Sequence, residues 1–82
     1  MHEGWFAEPV AVSVGIVGDI HHISSARQAA ALLTGRWPDA GTPKHLAARQ
    51  ACLGAINGDR PADAARLAFM EAAREARILV TD

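Results

Sequence analysis

The sequence holds a single cysteine, Cys52, in 82 residues, which excludes an internal disulfide. No histidine or second cysteine clusters around it, so a structural zinc signature is missing too. Long apolar runs are also absent, since no window approaches the roughly 20 residues needed to span a bilayer. Charge of one sign is not in excess: eight basic and nine acidic residues are interspersed and leave a net charge of -1. That balance disfavours nucleic acid and anionic membranes as partners. The opening residues Met1 to Phe6 lack a basic stretch and a long apolar run, so no secretory signal is read there and the cytoplasm is the expected compartment. Cys52, flanked by Ala51 and Leu53, reads as a small buried hydrophobe; only Arg49 is placed to activate it as a thiol.

What is present is ordinary globular composition, with 50% hydrophobic and 21% charged residues. One domain spanning residues 1–82 is expected, with residues 1–8 as an irregular leading segment from which Trp5 or Phe6 docks on the core. A chain this short buries only about 60% of its unfolded surface, so its core is thin and a homodimer is an expected source of further burial.

From Pro9 the run Val10 to Val14 alternates, with Val10, Val12 and Val14 on one face and Ala11 and Ser13 on the other. Gly15, Gly18 and Asp19 supply a reversal, and Ile20-His21-His22-Ile23 returns as a second strand. Ser25 with Gln28 three residues on has capping-box spacing. The first helix follows, with Ala26, Ala29, Ala30, Leu33 and Trp37 on one stripe and Gly35 and Pro38 ending it. Thr42-Pro43 opens the second helix, which runs to Ile56 with Leu46, Ala48, Cys52, Leu53, Ala55 and Ile56 as a broad apolar face. Asn57-Gly58 supplies a left-handed cap. Gly54 inside it predicts a close crossing with an alanine-rich neighbour.

Asp59 and Pro61 start the third helix, in which Ala65, Ala68, Phe69, Ala72, Ala73 and Ala76 share a stripe. Ile78-Leu79-Val80 is expected to be extended beside the hairpin. The resulting fold class is α+β: an N-terminal β-hairpin, three helices and a short C-terminal extended segment.

With these landmarks laid out, the chain resembles a domain-of-unknown-function family, number 982, of short proteins from rhizobia and agrobacteria. The resemblance is carried by the valine-rich strand, the Ser25-to-Leu33 helix ending in Trp37-Pro38, the segment Ala48 to Leu53, Gly58, and the run Ala65 to Ala73. It covers nearly the whole chain and implies a hairpin with helices and no known activity. His21-His22 departs from the family pattern.

Candidate chemistry is sparse. His21 and His22 are adjacent on a strand and point to opposite faces, so both cannot hold one metal without distortion; a site built from one of them with His45 and Asp19 is conceivable, but nothing in the spacing requires it. His45 and Cys52 lie two helical turns apart, about 10 Å along the axis, too far for a catalytic dyad. Gly15 to Asp19 opens no helix and carries no lysine, so it is a hairpin turn and not a phosphate cradle. No catalytic residue, cofactor or metal site is assigned. Arg66 is placed for an i, i+3 pair with Asp63, or to cross to the hairpin and orient the domain. Trp5, Trp37, Arg66 and Phe69 are the candidate core or interface anchors.

The expected function is a non-enzymatic cytoplasmic interaction or structural module that self-associates, with a further protein partner open to it. The alternative is a regulator binding a small ligand or nucleic acid through the helix pair, for which Arg49, Arg60, Arg66, Arg74 and Arg77 must share a face. If Phe69 anchors the core, Phe69→Ala should lower stability by about 3–5 kcal/mol. Urea denaturation measures it, and a loss below about 1 kcal/mol would mean the stripe is misplaced.

Overall fold

The computed structural model describes residues 3–14, 18–35, 37–38 and 41–80. Its elements are β1 (Trp5–Val14), β2 (Asp19–Ser25), α1 (Ala26–Gly35), α2 (Pro43–Asn57) and α3 (Ala62–Glu75), the α+β order expected from the sequence. Val10, Val12 and Val14 are buried, and they pair across the antiparallel hairpin with Ile23, His21 and Asp19. Ala11 and Ser13 oppose His22 and Ile20 on the other face. Gly18 takes a positive φ of 72°, and the Ser13 hydroxyl donates to its carbonyl at 2.9 Å. The rest of the expected turn, Gly15 to Val17, lies outside the described residues, as do Asp39 and Ala40 of the expected loop.

The leading segment joins β1, which begins at Trp5: Trp5 pairs with Ser25, and Phe6 to Glu8 fall within a register irregularity that ends at Val10↔Ile23. Pro9, which has no N–H to give a ladder, sits in that irregularity. The break in alternation hides this part of the strand from a period-two pattern. Phe6 is the aromatic that docks on the core, whereas Trp5 is 67% exposed.

The chain before β1 also finishes α1. The Gly4 and Glu3 carbonyls accept from the Ala26 and Arg27 N–H groups at 2.8 and 3.1 Å, two of the donors a helix start leaves unpaired. The approach is close enough that a Cβ on Gly4, whose φ is 73°, would lie 2.6 Å from Ala26 Cβ. Ser25 Oγ accepts from Gln28 N–H and donates to Glu3 Oε2, while Gln28 Oε1 accepts from Ser24 N–H, one residue earlier than in an ideal capping box. Ala26, Ala29, Leu33 and Trp37 are buried as the stripe predicts.

Thr42 caps α2 by accepting from His45 N–H at 3.1 Å, Pro43 follows it, and Gly58 closes the helix at a φ of 84°. The buried side of α2 differs from the expected one. His45, Ala48, Ala51, Cys52 and Ala55 face inward, while Leu46 and Leu53 are about half exposed. Small residues win this face because they let the neighbouring helices approach closely. Gly54 does not mark a helix crossing. A Cβ there would lie 2.9 Å from the Arg60 side chain, which folds back over it, and its carbonyl accepts from Asp59 and Arg60 N–H.

α3 starts at Ala62, with Pro61 at the cap position and no side-chain capping bond, because Asp59 belongs to the preceding turn. Ala65, Phe69, Ala72 and Ala73 are buried, with Ala68 and Ala76 partly covered. Phe69 is fully buried and meets Trp37 with ring centroids 5.5 Å apart and planes tilted by 55°.

The helix ends in a Schellman motif: Ile78 N–H donates to Ala73 O and Arg77 N–H to Arg74 O. Arg77 occupies the left-handed position at φ 62°. Ile78 to Val80 then run extended, bridging Leu79 to Val12 without forming a full strand. A side chain with a Cβ costs roughly 1–2 kcal/mol in the left-handed region, partly offset in glycine by chain entropy. Arg77→Gly should therefore stabilise the domain by about 0.5–1 kcal/mol in urea denaturation; a loss of stability would contradict this helix end.

Candidate functional site

β1 is hydrogen bonded along both edges. Ser13 N–H donates to Ile78 O at 2.7 Å and Val80 N–H to Ala11 O at 2.9 Å on one side, and β2 pairs along the other. Antiparallel alternation then turns the backbone groups of Val12 and His21 toward each other and those of Ile20 and His22 outward. Among the described residues no further strand joins β2, and Ser24 N–H is already taken by Gln28. The open edge is therefore short, centred on His21, and carries Ile20 at 57% exposure. Beside it lies a shallow groove of about 560 Å³ between β2 and α1, lined by His21, His22, Ile23, Gln28 and Leu32 among others.

A second concavity, of about 400 Å³, lies between β1, α3 and the C-terminal segment, lined by Glu8, Ala11, His22, Arg66, Met70 and Leu79 among others. Arg66 crosses to the hairpin here, donating Nε to Glu8 O at 2.9 Å, and its Nη2 lies 3.7 Å from Glu8 Oε2. This is the domain-orienting arrangement; the local pair with Asp63 is not among the ion pairs of the described residues, where Glu8 takes its place. Sequence spacing could not reveal Glu8, because it is 58 positions away.

The anchors Trp37 and Phe69 come together, whereas Trp5 and Arg66 do not join them. The other arginines of the helix pair occupy separate environments: Arg74 pairs with Glu71 at 3.0 Å, Arg60 lies over Gly54, and Arg49 Nε is buried without a partner among the described residues.

His45 is buried and held at both ring nitrogens. Nδ1 accepts from Gly41 N–H at 3.2 Å, which leaves Nε2 as the donor to Leu33 O at 2.7 Å. It is a structural tie between the ends of α1 and α2. His21 and His22 fall on opposite faces of the hairpin, and among the described residues no three His, Cys, Asp or Glu side chains gather as a metal site. No helix among them is long and apolar enough to cross a membrane.

The profile of the family described as Protein of unknown function (DUF982) matches residues 8–80. The chain belongs to that family. No curated protein and no solved structure matches it. The DUF982 span takes in the open β2 edge and both partners of the Arg66–Glu8 tie, while the Glu3 and Gly4 carbonyls that complete α1 lie ahead of it.

Burial pushes the Cys52 thiol from 9.0 up to about 12. Between those values the unfolded thiol ionises while the folded one keeps its proton, so stability present below about pH 9 falls as pH rises toward 12. Cys52→Ala should flatten that part of a stability-against-pH curve. In the folded wild type at pH 8 a thiol reagent should label Cys52 only on denaturation; rapid native labelling would show an accessible thiol.

Proposed function

We propose that this DUF982 domain is a non-enzymatic interaction module of the cytoplasm that self-associates by pairing the β2 edges of two copies. The carrying observation is the open edge at Ile20 and His22. Two copies related by a two-fold axis at His21 place Ile20 of each opposite His22 of the other, both with outward backbone groups, so the pair can make four hydrogen bonds. Shifting the axis to His22 would bring Ser24 into the ladder, where Gln28 already holds the N–H.

The same pairing covers Ile20, and it lays Asp19 diagonally across from His21 of the second copy. The groove between β2 and α1 receives side chains from the added strand, as in strand-addition recognition. Four of the five arginines that a nucleic-acid reading needs are held in different local environments, which favours this reading over the polyanion-binding one.

Sedimentation velocity tests the proposal. The wild type should sediment as a dimer, and Ile20→Lys, a charge of the kind that protects natural edges, should give a monomer with unchanged circular dichroism. A wild-type monomer up to roughly 1 mM, or an Ile20→Lys dimer, would overturn it. Addition of an extended segment from another protein in place of the second copy would appear as a heterocomplex blocked by the same substitution.

A further inference from the structure

The concavity at Arg66 meets that edge at His22 and is otherwise built by β1, α3 and the C-terminal segment. Its volume of about 400 Å³ falls in the range of small-molecule sites, about 300–1,000 Å³. Arg66 is held there rather than waving in solvent: its side chain is only 22% exposed, and the bond from Nε to Glu8 O fixes the plane of the guanidinium. Nε is thereby used on the backbone, leaving the Nη donors for other acceptors. The Glu8 carboxylate is 81% exposed and 3.7 Å from Nη2, beyond hydrogen-bond length, so it shadows the fork without occupying it. His22 adds a second polar group from the hairpin, and Val10, Met70 and Leu79 supply an apolar wall.

We infer that this cavity binds a small monocarboxylate with a short apolar tail. The carboxylate lies on the Arg66 Nη donors, and the tail lies along Met70 and Leu79. The planar fork suits a carboxylate. A phosphate dianion is a poorer match, since among the described residues of the lining Arg66 is the only fixed positive charge and Glu8 stands beside it.

The probe is hexanoate, with hexanamide as its uncharged counterpart, each titrated into the full chain and followed by the backbone amide resonances of Ala11, His22 and Val80. Hexanoate should bind about tenfold more tightly than hexanamide, and Arg66→Gln should remove the difference. Glu8→Gln, at an exposed position that leaves the backbone carbonyl in place, should tighten hexanoate several-fold without affecting hexanamide. Should Arg66→Gln fail to fold, Glu8→Gln decides alone. Equal affinities for acid and amide, hexanoate binding indifferent to Glu8→Gln, or no saturable shift up to roughly 10 mM would each overturn the assignment.

Discussion

The rings of Trp37 and Phe69 meet in a core whose helical faces are otherwise lined largely by alanine. Alanine lets backbones approach closely but buries little area per residue, so the bulk of the core has to come from a few large side chains. Trp37 follows α1 and Phe69 lies in the middle of α3, so their contact links the first helix to the last. His45 lies 6.1 Å from Trp37 between ring centroids, and its bonds to Leu33 O and Gly41 N–H secure the chain on either side of that tryptophan. A polar side chain is tolerated here because both nitrogens are satisfied, which removes most of the cost of burying them.

β1 is the other organiser. It receives β2 on one edge and Ile78 to Val80 on the other, and α3 is strapped to it by Arg66. Because the central position is taken by β1, the outer position falls to β2, a strand with polar residues on most of its length. Asp19, His21 and His22 are what an edge facing water tolerates, and Ile20 is the exception. The unusual position on this open edge is thus local, a single exposed apolar residue where its neighbours are polar.

Much of this fold was legible in the sequence, because most of its signals are local. Valine alternation, the Ser25, Thr42 and Gly58 caps and the Phe69 stripe each arise from chemistry within a few residues of one another. What escaped was non-local or irregular. Trp5 pairs with Ser25 beyond a register break, between Trp5 and Val10, that spoils alternation. Leu46 and Leu53 yielded the inner face of α2 to smaller residues, since closeness of backbones outweighs the area of a leucine. Gly54 inside a helix points to a helix crossing, but here it meets the stem of Arg60. Of the candidate site, Arg66 and the paired histidines could be singled out from sequence, but Glu8, Met70 and Leu79 become neighbours only through the tertiary fold.

Residues ahead of β1 complete the start of α1, and residues after α3 complete the sheet, so one end of the described chain closes on α1 and the other on β1. A hairpin of two strands is marginal by itself, and loop closure over such separations must precede the contacts that reward it. Without residues 78–80 the backbone groups of Ala11 and Ser13 on that side of β1 lose their partners, and the valine strand is left with a second open edge.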